Sequence, residues 1–160
     1  MVLSVCSTKT NAQNIKYQGE AAMGYAFGIG DFNVNRFNIS TTHGVRLNQY
    51  LFVGGGLGFN FFHKDGDNAT VMPIYASVKG YYPVGNQLSL VGLFDLGVGT
   101  SLSDNLDGSG FYCYPQVGLN LPILKSYSLD FTLGYQHQAI SKHSANVNFD
   151  AIAFKVAFNW

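Results

Sequence analysis

From Ile15 to Trp160 the chain alternates between apolar side chains and polar or very small ones with a period of two. That period restricts it to β-strands, whose successive side chains point to opposite faces. In 15–30 the odd positions are Ile15, Tyr17, Gly19, Ala21, Met23, Tyr25, Phe27 and Ile29. The even positions are Lys16, Gln18, Glu20, Ala22, Gly24, Ala26, Gly28 and Gly30. Seven further segments repeat the pattern, at about 35–48, 51–63, 72–82, 88–102, 111–121, 127–140 and 149–160. Eight strands of this length predict an all-β fold, an eight-stranded antiparallel up-and-down barrel, because closure removes the unpaired edges of an open sheet.

The connections divide into two kinds. Tight turns are expected at 48–50, 83–87 and 122–126, and longer polar loops at 64–71, 103–110 and 141–148; the first connection, near 31–34, is the short exception. Short turns on one rim and longer loops on the other are the signature of a transmembrane β-barrel.

Alternation alone does not say which face is inside. Charges decide it. The strands carry Lys16, Glu20, Arg36, Arg46, Lys79, Asp95, Asp130 and Lys155, all on the polar-face parity, while Asp150 falls at a strand end. Only 11% of the residues are charged, against about a quarter in soluble domains, so a soluble barrel would be poorly solvated. A lipid environment accounts for the economy, since a charge on the lipid face costs about 2–4 kcal/mol at the midplane. The apolar face then points outward, and no run of about 20 apolar residues offers a helical span instead. Gly24, Gly28, Gly44, Gly54, Gly56, Gly97, Gly118 and Gly134 lie on the inward parity, suiting a narrow lumen. Aromatics near the strand ends predict two interfacial girdles, with Tyr17, Tyr82, Tyr127 and Trp160 at the short-turn rim and Tyr25, Phe27 and Tyr135 toward the other.

Residues 1–13 read MVLSVCSTKTNAQ, a short apolar run and then small and polar residues. They resemble the end of a secretory signal peptide, leaving 14–160 as the barrel domain. Val5 before Cys6 is the wrong residue for a lipoprotein site. If this leader is removed, Cys113 is the remaining thiol, and neither an internal disulfide nor a Cys/His zinc site is available.

The runs GVRLNQYLFVGGGLGFNFF, LSLVGLFDLGVGTSL and LGYQHQAI, with the ending NFDAIAFKVAFNW, resemble the small outer-membrane β-barrel (porin-like) proteins abundant in Bacteroidetes. The resemblance covers roughly 14–160. In the last segment Ile152, Phe154, Val156, Phe158 and Trp160 resemble a barrel-assembly signal ending in an aromatic residue, with Phe154, Phe158 and Trp160 as its rings; Lys155 stands near the place of the usual glycine. The resemblance implies a location in the outer membrane of a Gram-negative bacterium. It implies outer-membrane lipid, lipopolysaccharide and the barrel-assembly machinery as partners, and no particular substrate.

The inward charges Lys16, Glu20, Arg46, Lys79, Asp95, Asp130 and Lys155 are expected to form a polar network across a filled lumen, hydrogen-bonded to Tyr81, Ser89 and Gln116. A monomeric barrel with a structural or cell-surface interaction role follows, acting through loops made acidic by Asp31, Asp65, Asp67, Asp104, Asp107 and Asp150 against Lys64 and Lys142. The competing readings are a small-solute channel and a lipid-modifying hydrolase. Ser141, His143 and Ser144 share one loop with His137 below it, but the His-x-Ser-Asn pattern of lipid A deacylases is missing. Asp65-Gly66-Asp67-Asn68 lacks the spacing and closing Glu of a calcium loop. Nine basic residues cancel nine acidic ones, which leaves no field for nucleic acid. No cofactor, metal or catalytic residue is expected.

Overall fold

The alternating segments form eight strands, each hydrogen-bonded to the next in sequence: β1 (Lys16–Ile29), β2 (Arg36–Arg46), β3 (Leu51–Lys64), β4 (Asp67–Pro83), β5 (Ser89–Ser101), β6 (Ser109–Leu124), β7 (Tyr127–Lys142) and β8 (Ala145–Asn159). β8 pairs antiparallel with β1 and closes the sheet into a barrel. The computed structural model describes residues 15–30, 33–64, 66–103, 108–142 and 145–160. The leader assigned to residues 1–13 lies outside them.

Face assignment follows the period of two. Glu20, Ser77, Lys79, Asp95, Gln116 and Asp130 are buried in the lumen, while Met23, Leu57, Ile74, Phe94, Val117 and Leu133 are exposed on the outer wall. Tyr17, Tyr25, Phe27, Tyr82, Tyr127, Tyr135, Phe154, Phe158 and Trp160 are exposed on that wall as well. The whole girth is thus apolar, far beyond the few hundred Å² that a soluble monomer exposes in one patch. Inward glycines make room for the rings that do point inside. A methyl at Gly56 would sit 2.6 Å from the Tyr75 ring, and one at Gly54 would sit 2.7 Å from Phe52.

Two of the long loops expected from the sequence are absent. Lys64 pairs with Asp67 and Lys142 with Ala145, so β3, β4, β7 and β8 continue through most of the stretches expected to be loops. Gly66 has φ +95°, a left-handed conformation that costs glycine little. The polar residues of 64–71 suggest a loop, but a ladder beyond the apolar wall needs no apolar face and continues through them. The remaining connections on this rim are residues 30–35 and 102–108, so the first is not the short exception. Asp150, placed by the sequence at a strand end, lies well inside β8. Of the acidic-rim residues, Asp31, Asp65, Asp104 and Asp107 lie outside the described residues, as do the side chains of Lys64, Asp67 and Lys142.

Pro73 and Pro115 stand inside β4 and β6, where a missing N–H removes a ladder bond. The β3/β4 pairing skips from Leu57↔Ile74 to Asn60↔Val71, and β6/β7 from Cys113↔His137 to Gln116↔Gly134. Register is the same on both sides of each gap, so the prolines interrupt the ladder without shifting it.

The two faces should respond differently to substitution. Leu57→Arg, Phe94→Arg or Leu133→Arg places a cation on the apolar wall and should block insertion, at about 2–4 kcal/mol each near the midplane. Ser77→Ala and Gln116→Ala withdraw one lumen hydrogen bond each from Asp95, costing about 1–3 kcal/mol with insertion intact. Heat-modifiable gel mobility of the membrane fraction reads both outcomes.

Candidate functional site

Eight strands enclose a lumen narrow enough for side chains from opposite walls to meet, and here they meet in layers. Nearest the short turns, the Gln18 amide donates to Tyr81 Oη (3.0 Å) and Asn159 Oδ1 (3.2 Å). The Arg46 guanidinium lies 4.2 Å from the Tyr81 ring centre and donates to the Gln49 carbonyl (3.0 Å). Phe52, Tyr81, Val91 and Leu93 form an apolar cluster along one side of this level.

The next layer holds the ions. Lys79 Nζ donates to Glu20, to Asp130 Oδ2 (3.2 Å) and to Asn159 Oδ1 (3.3 Å). Lys155 Nζ stands between Glu20 Oε1 (3.6 Å) and Asp95 Oδ2 (3.8 Å). Ser77 and Gln116 donate to the Asp95 carboxylate at 2.5 and 2.8 Å, and Asn120 donates to Asp130. Five charges from β1, β4, β5, β7 and β8 are thereby tied into one cluster that crosses the barrel. Its members are almost wholly screened from solvent, so each carboxylate depends on these partners to remain charged.

Above the cluster, Thr42 bonds Tyr75 Oη (3.0 Å) and Gln136 donates to Tyr112 Oη (3.1 Å). Arg36 Nε and Asn38 Nδ2 both donate to Gln136 Oε1, at 2.9 and 3.2 Å, and Asn60 donates to Gln138 Oε1 (3.1 Å). Asn38, Asn60, Tyr75, Tyr112, Asp95 and Lys155 surround a cavity of about 20 Å³, room for about one water. Val34, Phe62, Val71, Ile140 and Phe149 then close over this layer, the Phe62 and Phe149 rings meeting across the lumen at 5.2 Å.

Of the sequence-derived lumen residues, Glu20, Lys79, Asp95, Asp130 and Lys155 are brought together. Lys16 is exposed at the rim and Arg46 binds a turn carbonyl, so neither belongs to the ion cluster. Lys16 opens β1 beyond the buried layers, and Arg46 closes β2 with its guanidinium stacked over Tyr81. Tyr81 hydrogen-bonds Gln18 rather than a charge, while Gln116 serves Asp95. The sequence reading omitted the layer of Arg36, Gln136, Gln138 and Tyr112. Their inward parity was legible; their mutual contacts, up to a hundred residues apart in sequence, were not. Among the hydrolase candidates, Ser141 lies in β7, His143 and Ser144 lie outside the described residues, and His137 faces outward beside Asp150. Asn68 of the acidic turn is engaged by His63 Nδ1 (2.8 Å).

No protein-family model matches the chain, and no curated protein matches it in sequence. Solved structures do. Neisserial surface protein A superposes with a TM-score of 0.65 at 14% identity, over 91% of this chain and 95% of that one. The N-terminal β-barrel domain of OprF from Pseudomonas aeruginosa gives 0.56 at 15% identity, over 92% and 98%. A de novo designed transmembrane β-barrel gives 0.53 at 13% identity, over 89% and 95%. The chain has the fold of these small transmembrane barrels.

The ion cluster should carry stability. Asp130→Ala leaves Lys79 short of a carboxylate in a closed site, and loss of such a buried partner costs about 3–5 kcal/mol. Lys16→Ala, at an exposed position, should change stability by less than about 0.5 kcal/mol. Urea unfolding of the detergent-solubilised variants, followed by gel mobility, separates the two.

Proposed function

We propose that the chain is an outer-membrane β-barrel with a closed lumen, serving a structural or surface-interaction role and not solute passage. The layered lumen carries this reading. An ion cluster joining five strands lies beneath the Phe62/Phe149 closure, and a permeating ion would have to break the first and desolvate past the second. Location in the outer membrane of a Gram-negative bacterium is supported by the apolar outer wall and its aromatic residues, and by the barrel fold shared with Neisserial surface protein A. The outward rings of Phe154, Phe158 and Trp160 are the features that barrel-assembly machinery would read, and outer-membrane lipid and lipopolysaccharide would meet the outer wall. A single copy already closes its own sheet, which fits a monomer. The surface available to partners is the rim formed by the β3–β4 and β7–β8 hairpins together with the connections 30–35 and 102–108.

Reconstituted into planar bilayers, the protein should show no steady conductance, and its extraction from membranes should require detergent. A large, steady, ion-selective current would overturn the closed lumen, and recovery as a soluble monomer without detergent would overturn the membrane location.

A further inference from the structure

Among the described residues, the outer wall of the barrel breaks its own charge rule at one place. Glu20, Asp95 and Asp130 are buried in the lumen, but Asp150 of β8 takes the outward parity of Ile152 and Phe154 and is 28% exposed. Ionised groups on this wall cost free energy that falls toward the interface, so a carboxylate kept here needs a reason. Asp150 is not alone. Its Oδ1 is 2.6 Å from Nδ1 of His137, which is its register partner on β7. The Tyr135 hydroxyl also hydrogen-bonds Asp150, and the Phe111 ring centre lies 6.3 Å from that of the imidazole.

On the other side of His137, the register partner on β6 is Cys113, a free and partly exposed cysteine of the outward parity. Cysteine, histidine and aspartate therefore stand in one lateral row across three adjacent strands. With Nδ1 held by the carboxylate, proton exchange with a group on β6 falls to Nε2. Paired strand residues have Cα atoms about 5 Å apart, which puts a thiol within a side-chain rotation of the imidazole. Base between nucleophile and orienting acid is the order that thiol and hydroxyl nucleophiles need.

Height on the wall supplies the substrate class. His137 is ten residues along β7 from Tyr127 at the short-turn rim. In strands tilted by about 40° that is roughly 25 Å along the barrel axis, the full height of a transmembrane barrel's apolar band. The row thus lies at the upper edge of that band, where acyl chains join lipid headgroups through ester bonds.

We propose that Cys113, His137 and Asp150 form a lipid-facing acyl-transfer site for ester-linked acyl chains. Nε2 of His137 takes the thiol proton as the Cys113 sulfur attacks the ester carbonyl. The carbon–oxygen bond of the ester breaks, and the leaving alkoxide receives that proton and departs as the alcohol. The chain remains on Cys113 as a thioester. Water, deprotonated by the same nitrogen, then attacks the thioester, giving the fatty acid and the free thiol; no oxidant or reductant is consumed. The site takes its lipid access from the membrane reading above, but its chemistry is tested in micelles, so the two can fail separately.

Full-length protein folded in detergent micelles is incubated with p-nitrophenyl dodecanoate, and intact-mass spectrometry and nitrophenolate release are followed. The expected result is a dodecanoyl thioester on Cys113 that hydroxylamine removes and that Cys113→Ala lacks. His137→Gln should slow acylation by about 100-fold and Asp150→Asn by about 10-fold, with folded gel mobility unchanged. If His137→Gln does not reach the folded form, Asp150→Asn carries the comparison. Absence of both the thioester and any Cys113-dependent nitrophenolate release, or acylation of the histidine or aspartate variant at the unmutated rate, would overturn the proposal, since Cys113 would then be only an exposed thiol.

Discussion

A strand in hydrocarbon cannot leave its edge unpaired, because no water is present to serve the free N–H and C=O groups. β8 must therefore find β1, and the seam where they meet is the contact on which the other layers depend. Gly19 and Trp160 exchange both backbone hydrogen bonds there at 3.0 Å. The Trp160 ring lies flat over Gly19, where an added methyl would come within 2.5 Å of it. Ring contacts continue along the outside, Tyr127 on Phe158, Phe158 on Trp160, Trp160 against His43 and His43 on Tyr17, with centroids 5.5, 6.2, 6.0 and 6.1 Å apart. The short-turn girdle is thus also a clasp across the closing strands.

Closure fixes the lumen's width, and the width explains the lumen's chemistry. Side chains from opposite walls come within hydrogen-bond reach, so a charge on one strand can be answered only by groups from others. Lys79 and Lys155 draw in Glu20, Asp95 and Asp130, and the amides of Gln116 and Asn120 occupy remaining acceptor sites. Polar satisfaction of this kind holds a unique arrangement because a half-paired member would be left charged in a closed space. The apolar clusters at the two levels around it keep that space small.

The same physics explains why the His137–Asp150 pair stands out. Inside the lumen a carboxylate is one of several in a shared network. On the outer wall Asp150 stands among apolar side chains, and its partners are the adjacent imidazole and the Tyr135 hydroxyl. Its height at the upper end of the wall is what makes such a group tolerable there, since water and headgroups reach that level.

The sequence by itself determined the strand count, the antiparallel barrel and the inside and outside of nearly every residue. These follow from a period of two and from the cost of charge in lipid, both local rules that need no partner to be known. Parity gives each side chain's face by that same local rule. Strand ends were less legible: polarity at 64–71 and 141–148 suggested loops where β3, β4, β7 and β8 run on past the apolar wall. Beyond that wall a strand has no need of an apolar face, so alternation stops while the ladder continues. Only the tertiary structure decided who meets whom. Glu20 with Lys79, Arg36 with Gln136, and Cys113, His137 and Asp150 in one row all depend on the register and stagger of closure. A periodic sequence states which way a side chain points, whereas its height against the opposite wall is set when β8 closes on β1.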